Sequence, residues 1–220
     1  MPRVSRAQAE RNRAAIEQAS ARLFRERGLA GASVVDLMAA AGLTHGGFYG
    51  HFQSKDELAA AACAAAFEQS RERWRRRMAG QPDARAARRA LVQGYLSARN
   101  RDDAGTGCPA AGLSGDVARE PAGKPVRAAF ADGIRRQVDT LAGLQDAASP
   151  GDARRRALAQ YAAMVGALVL ARATRGEPIS DEFLAAARDS LLGGAAATPT
   201  PPEAAPAGRP ARRARRGRAA

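Results

Sequence analysis

Apolar residues in the first sixty positions recur at helical intervals in short blocks, and glycines separate the blocks. The first block has an apolar residue every three or four positions and predicts an amphipathic helix over 6–27. The spacing of Ser33 and Asp36 is that of a capping box, so a second helix is predicted to begin there and to run through Ala41. Gly42 then supplies a tight turn.

Residues 44–51 predict a third, very short helix with few apolar residues of its own. Thr44 is a good N-cap, but each glycine inside the segment lowers helix stability by about 1 kcal/mol relative to alanine. We therefore expect packing through Phe48 and Phe52 to hold the segment in place. A helix, a glycine turn and a short helix in this order predict a helix-turn-helix.

A longer helix follows, and the rest of the chain continues the helical pattern. Ser54 with Glu57 forms a second capping-box spacing and predicts a support helix that runs to about residue 79. Further helices are predicted over 82–101, 109–119, 122–147, 152–175 and 180–192. Because alternating β-branched residues are missing, we predict an all-α fold of about nine helices.

The chain divides into three predicted parts. Residues 1–54 are expected to form a three-helix helix-turn-helix domain, and residues 55–194 a C-terminal helical bundle. Residues 195–220 change to Ala, Pro, Thr and Gly and then to an Arg-rich run. Such a composition cannot bury enough apolar surface to order itself, so this tail is predicted to be disordered.

The formal charge of +13 favours an anionic partner, either nucleic acid or an acidic membrane surface. The tail contributes +5, so residues 1–194 still carry +8. Neither an apolar leader nor an apolar run of about 18 residues is present, which predicts a cytoplasmic protein with no membrane partner. Cys63 and Cys108 have neither metal-binding spacing nor a disulfide framework, so no metal or other cofactor is expected.

The short helix has the properties of an element that inserts into the major groove of double-stranded DNA, which is about 12 Å wide and admits a helix. Its small residues allow close approach, and its polar residues supply donors. The predicted DNA contacts are Thr44, His45, Gly47, Tyr49, His51 and Lys55. Arg3, Arg6 and Arg11 could add an arm over an adjacent groove. The alternative is a helix-turn-helix that binds no DNA.

The sequence LFRERGLAGASVVDLMAAAGLTHGGFYGHFQSKDEL closely resembles the DNA-binding domain of TetR/AcrR-type transcriptional regulators. The A-G-L-T turn, F-Y-x-H-F and S-K-D-E-L carry the resemblance, which covers about a quarter of the chain. It implies a homodimeric regulator, usually a repressor, that binds a palindromic operator and releases it when a small-molecule effector enters the C-terminal domain. Gly50 stands where many relatives carry a larger polar residue, so one phosphate contact is absent.

The resemblance places an effector pocket among the helices after residue 54. Its candidate lining residues are Phe67, Trp74, Met78, Tyr95, Cys108, Phe130, Tyr161 and Met164, and plain core packing is the alternative for each. Cys108 precedes Pro109 at a predicted helix N-terminus, where the pKa of a thiol falls and a reactive sensor could arise. A G-C pair at this place also occurs in some TetR-type regulators that respond to electrophiles or oxidants. The alternative for Cys108 is a buried apolar residue.

The last two predicted helices each carry a broad apolar face. The candidate homodimer interface consists of Leu158, Val165, Leu168, Val169, Phe183, Leu184 and Leu191. A four-helix seam between two copies would place two DNA-binding heads about 34 Å apart, one helical repeat of DNA. Packing within one chain is the alternative.

Three functions compete on the sequence alone. The first is a ligand-responsive repressor, and the second is a non-specific DNA-coating protein that uses the same helix and the basic tail. The third is an enzyme in the C-terminal half. The sequence lacks G-x-S-x-G, a Walker A motif, Cys-x-x-Cys and H-E-x-x-H, so we predict no catalysis.

Overall fold

The computed structural model describes residues 5–193, which comprise nine α-helices, one short 3-10 helix and no strand. The all-α prediction is confirmed. The α-helices are α1 Arg6–Arg27, α2 Val34–Ala40, α3 Lys55–Met78, α4 Ala84–Tyr95, α5 Ala98–Asp102, α6 Pro109–Arg119, α7 Pro125–Ala142, α8 Pro150–Ala173 and α9 Pro178–Leu192. The 3-10 helix is His45–Gly50, between α2 and α3. Arg3 lies outside the described residues. The tail 195–220, for which disorder was predicted, also lies outside them.

The first two helices begin and end as their local sequence predicts. Ser33 Oγ accepts a hydrogen bond from Asp36 N at 3.2 Å, and Asp36 Oδ2 accepts one from Ser33 N at 2.9 Å. Both halves of the predicted capping box are therefore present at α2. Gly28 ends α1, and Gly42 turns the chain after α2. Their φ angles are 78° and 72°, a backbone region that favours glycine.

Two predicted helices have the wrong extent. The segment 82–101 is not one helix, because α4 ends at Tyr95 and Ser97 starts α5 by accepting a hydrogen bond from Asn100 N at 3.3 Å. The predicted helix 122–147 is also too long. It begins only at Pro125, whose ring suits a first helical position, and it ends at Ala142.

The helices enclose two apolar clusters, and α3 packs against both. The first cluster joins α1, α2, the 3-10 helix and the start of α3 to side chains from α6 and α7. The second surrounds Trp74 near the end of α3 and includes residues of α4, α8 and α9. At Gly133, α7 approaches α3 so closely that a Cβ would lie 2.2 Å from the Phe67 ring. Of the described helices, none is long and apolar enough to cross a membrane.

Candidate nucleic-acid interface

Residues 44–51, which we call the recognition segment, contain the predicted short helix in the form of a 3-10 helix, His45–Gly50, rather than an α-helix. Gly47 N donates to Thr44 O at 3.1 Å, the i to i+3 pattern of the tighter helix. The glycines lower the preference for a regular α-helix, which accounts for the difference. Thr44 occupies the N-cap position, but its side chain makes no capping hydrogen bond, contrary to the prediction. The Thr44 hydroxyl group therefore does not cap the 3-10 helix.

Two neighbouring aromatic residues of the recognition segment face opposite ways. Phe48 is 1% exposed and stacks on Phe52 with 6.0 Å between ring centroids. Tyr49 is 75% exposed, and its ring meets that of Phe48 at 5.2 Å in an edge-to-face arrangement. The segment is thus anchored to the core by one side and presents a large aromatic ring to solvent on the other.

The packing within the chain does not require the glycines of the recognition segment. A Cβ on Gly46 or Gly50 would meet nothing within 4 Å, and one on Gly47 would touch only Met38 Cε at an ordinary 3.8 Å. None of these three residues has a positive φ. A glycine that the fold does not need is consistent with a surface that another molecule approaches closely.

The predicted DNA contacts all lie on this one corner of the molecule. Thr44, His45, Gly47 and Tyr49 are exposed, and His51 and Lys55 are half-buried. Lys55 is the first residue of α3, where free backbone N–H groups and the helix dipole favour a phosphate. On α1, the arm candidates Arg6 and Arg11 interact within the helix, with Glu10 and Gln8 respectively.

Arg13 of α1 fixes the recognition segment to its supporting helices, and the sequence analysis missed it. Its guanidinium donates to the carbonyl oxygen of His51 and, at 3.1 Å, to Glu57 Oε1. The same group lies 4.1 Å from the centroid of the Phe52 ring, in a cation–π position. Arg13 therefore joins α1, the end of the recognition segment and α3.

Glu57 completes this arrangement in a way that differs from the predicted capping box. Glu57 N donates to Ser54 Oγ at 3.1 Å as expected, but the Glu57 carboxylate accepts from Gln53 N at 2.8 Å, one residue earlier than predicted. The hydrogen bond from Gln53 N and the bond from Arg13 hold the pKa of Glu57 below its usual value. Glu57 thus stabilises the folded state while it is ionised.

We expect Arg13→Met to lower the melting temperature by on the order of 2–4 °C, because an exposed cation–π contact alone contributes about 0.5–1 kcal/mol. The folded pKa of Glu57 is lowered, so its stabilisation is complete above the unfolded pKa and is lost as pH falls through the folded pKa. The difference in melting temperature between wild type and Arg13→Met should therefore become smaller in acid, where the pair with Glu57 is lost. It should not vanish, because the contact of Arg13 with Phe52 and its hydrogen bond to His51 O remain. Thermal unfolding between about pH 7 and pH 3 measures this.

Arg11→Met is the matched control, since Arg11 lies on the same helix, is exposed and bonds only to Gln8 among the described residues. It should leave the melting temperature nearly unchanged at every pH. An equal loss of stability in both variants would contradict the role assigned to Arg13.

The eight candidate effector-pocket residues are packed into the two apolar clusters. Phe67 meets Phe130 edge to face, and Trp74 meets both Tyr95 and Tyr161 in the same manner. Six of the eight are buried, and Met78 and Phe130 are partly buried. In this conformation these side chains build the core, and Cys108 is 2% exposed among them.

The candidate dimer residues divide between the surface and the core. Leu158 and Val169 are exposed, whereas Leu168 and Leu184 are buried inside the chain itself. Val165, Phe183 and Leu191 are half-buried. On the outer side of α8, three of these candidates lie together with Ala162, Gly166 and Leu170. We call the whole set the α8 stripe: Leu158, Ala162, Val165, Gly166, Val169 and Leu170.

Polar contacts connect the region of α1 and the recognition segment to the later helices. Asp116 of α6 accepts a hydrogen bond from Leu29 N, just after α1, at 2.9 Å. Lys124, at the start of α7, pairs with Asp56 in the first turn of α3. Both contacts join residues more than sixty positions apart in the sequence. These contacts join α6 and α7 to the helices that position the recognition segment.

Comparison with known proteins agrees with this architecture. The family described as bacterial regulatory proteins, tetR family, matches residues 16–62, from α1 into α3. Nothing matches among curated proteins.

Several solved structures share the fold. A TetR transcriptional regulator from Chloroflexus aurantiacus has 27% sequence identity and a TM-score of 0.69, covering 85% of this chain and 95% of that chain. A TetR-family regulator from Cytophaga hutchinsonii has 23% identity and a TM-score of 0.68, with coverage of 88% and 98%. The reduced form of Escherichia coli NemR has 21% identity and a TM-score of 0.67, with coverage of 81% and 96%.

Proposed function

We propose that this chain, which belongs to the TetR family of bacterial regulatory proteins, is a ligand-responsive transcriptional repressor. Two copies bind a palindromic DNA operator, and a small-molecule effector releases them from it. The solved relatives from Chloroflexus aurantiacus and Cytophaga hutchinsonii are described as transcriptional regulators. We accordingly propose regulation and not catalysis.

The observation that carries the proposal is the two-sided recognition segment. Phe48 anchors it, Tyr49 projects from it, and its glycines have no role in the packing of the chain. We propose that Thr44, His45, Gly47 and Tyr49 contact the major groove, and that His51 and Lys55 contact phosphates. Residues up to 54 then form the DNA-binding domain, and residues 55–194 form the sensing and dimerisation domain.

We propose that the α8 stripe is the centre of the homodimer interface. Its members follow helical spacing, are apolar or small, and lie on one side of α8 between Leu158 and Leu170. A Cβ on Gly166 would meet nothing within 4 Å, so the middle of the stripe is open to another helix. An exposed apolar surface of this length is unusual on a monomer and is typical of a protein interface. Leu168 and Leu184, which are buried, support the stripe from beneath.

Effector response requires two conformations that differ in the position of the recognition segments. The contacts of Asp116 with Leu29 and of Lys124 with Asp56 give a path from the bundle to the DNA-binding domain. An effector that binds one arrangement of α6 and α7 more tightly shifts the population toward it, with a coupling of about 1–3 kcal/mol typical for such systems. Cys108 is a second candidate for response, but its burial means that a reagent reaches the thiol only when the bundle opens.

The proposal is tested by selecting DNA fragments from the genome that encodes the protein. We expect the purified full chain to enrich a short palindrome and to retain it under excess random DNA at about 0.15 M salt. Sedimentation should give a dimer. Enrichment no greater than that of random fragments would instead favour the DNA-coating alternative.

The variant Ala162→Arg separates dimerisation from folding. Ala162 is exposed in the middle of the α8 stripe, so an arginine there disturbs the proposed interface without entering the core. We expect Ala162→Arg to be a monomer with a large loss of operator affinity. At a protein concentration low enough for the wild type to be monomeric as well, the two melting temperatures should be equal. Gln93→Arg, which adds the same charge at an exposed position of α4, is the control and should remain dimeric.

A further inference from the structure

Three arginines from three different helices converge on the short loop that joins α5 to α6. Arg25 Nη1 and Arg73 Nη2 lie 3.5 Å and 2.9 Å from the same acceptor, Gly107 O. Arg172 Nη2 approaches from the other side and would lie 2.2 Å from a Cβ on Gly107. A Cβ on Gly107 would also lie 2.8 Å from the backbone oxygen of Asp103, so close packing requires a glycine here. The glycine allows the guanidinium groups to gather around one peptide unit.

No carboxylate within residues 5–193 forms a salt bridge with these three arginines. Arg172 donates to two backbone carbonyl oxygens, and the side chain of Arg73 has Gly107 O as its single hydrogen-bond acceptor in that range. The nearby carboxylate of Asp103 attracts all three guanidinium groups but accepts its hydrogen bonds from Thr106 N and Oγ1, at 3.0 Å and 2.5 Å. Arg25 is buried, and Arg73 and Arg172 are half-buried. Charges removed from water without a directly paired counter-charge are unfavourable, so this cluster is incomplete by itself.

Arg25 is the most buried arginine of the cluster, and its side chain is not fully paired. It is 4% exposed, and its Nη2 donates to Gln69 Oε1 at 2.7 Å. Its Nε is fully buried and has no hydrogen-bond partner. Burial, followed by repulsion from Arg73, lowers the pKa of Arg25 to about 10, which still leaves the guanidinium charged at neutral pH. A buried cationic donor without an acceptor is the pattern expected of a site that an anion completes.

The arginines open onto a cleft whose chemistry suits a small anion. The cleft has a volume of about 750 Å³, lies between α1, α3 and the loop at Gly105 and Thr106, and is lined by Arg25 and Arg73. This volume falls within the range of small-molecule sites. Its two carboxylates, Glu68 and Glu72, are paired with other arginines of α3 at 3.1 Å and 2.5 Å. The remaining unneutralised charge in the cleft is positive.

We propose that this cleft binds a small oxyanion, a carboxylate or a phosphate, whose oxygens accept hydrogen bonds from Arg25 and Arg73. Planar, bidentate guanidinium groups are well matched to both anions. The inference rests on the proposed function where it identifies this anion with the effector. Arg25 belongs to α1 and Arg73 to α3, so the bound anion would draw together the two helices that Arg13 joins to the recognition segment.

Melting temperatures of the full-length protein at constant ionic strength test the site. Sodium chloride is replaced stepwise by sodium phosphate in one series and by sodium benzoate in another, which separates an inorganic phosphate from an organic carboxylate. We expect at least one anion to raise the melting temperature of the wild type with saturation. We expect Arg73→Gln to weaken the apparent affinity at least tenfold, and Arg25→Gln to do so if it folds.

Arg76→Gln is the matched control, because Arg76 lines the same cleft but is paired with Glu72. It should keep the affinity of the wild type. General stabilisation by an excluded salt would affect all the variants alike. An equal response of Arg73→Gln and Arg76→Gln to both anions would therefore overturn the proposal.

Operator binding in the same anion series distinguishes this inference from the proposed function. Release of the selected operator from wild type, but not from Arg73→Gln, would identify the anion as an effector. If an operator is selected but the melting temperatures of wild type and Arg73→Gln respond to the anion alike, the anion site fails and the regulator stands. If the anion binds through Arg73 but no sequence is preferred on DNA, the site stands and the regulator fails.

Discussion

Phe48→Ala is expected to destabilise the DNA-binding domain by about 3–5 kcal/mol, the usual cost of truncating a fully buried phenylalanine. Phe48 is 1% exposed and supports both the stack with Phe52 and the ring of Tyr49. Removing it leaves a cavity beneath a segment whose glycines supply little helical stability of their own. Hydrogen exchange of residues 44–58, together with chemical denaturation, measures the loss.

Phe48→Leu is the companion variant. It keeps an apolar side chain of similar size and should lose much less stability than the alanine variant. Protection factors in α8 and α9 should change little in either variant, because those helices pack in the second apolar cluster. Equal protection of residues 44–58 in wild type and Phe48→Ala would show that Phe48 does not hold the segment.

Tyr49→Ala should weaken operator binding and leave the stability of the fold almost unchanged. Phe48→Ala, at the adjacent position, should instead lower the stability. Tyr49 is 75% exposed, so its truncation should change the free energy of unfolding by no more than about 0.5 kcal/mol. Operator affinity should fall at least tenfold, which corresponds to about 1.4 kcal/mol of binding free energy. Fluorescence anisotropy with the selected operator and thermal unfolding of the same sample measure both quantities.

Tyr49→Phe then separates the hydroxyl group from the ring. A partial loss of affinity assigns part of the contact to a hydrogen bond, and full retention assigns it to the ring. Val35→Ala removes an exposed apolar side chain from α2, outside the recognition segment, and should bind the operator normally. Operator affinity unchanged in Tyr49→Ala would remove Tyr49 from the DNA-binding surface.

The sequence was sufficient for features that depend on neighbouring residues. The start of α2 follows from Ser33 and Asp36, which are three positions apart, and the turn after it follows from Gly42. The 3-10 form of the recognition segment was missed because glycine weakens an α-helix without indicating what replaces it. The break between α4 and α5 was missed because Ser97 was not considered as an N-cap inside an otherwise helical pattern.

The features that depend on distant residues could not be predicted. Arg13 donates to His51 O and Glu57, which are 38 and 44 positions away, and Arg25 donates to Gly107 O at 82 positions. In the sequence both are ordinary charged residues of an amphipathic helix. The α8 stripe was missed in part for a different reason. Helix α8 carries apolar residues on all sides, so periodicity could not separate its buried face from its exposed one.

Helix α3 has a mechanical consequence. Its 24 residues make a continuous rod of roughly 36 Å, with Lys55 at one end and Trp74 in the second cluster near the other. A tilt of only about 5° around its far end would swing Lys55 by roughly 3 Å, as long as a hydrogen bond. In the homodimer that we propose, the two displacements would add. A slight repacking around Trp74 would then move both recognition segments out of register with a palindromic operator.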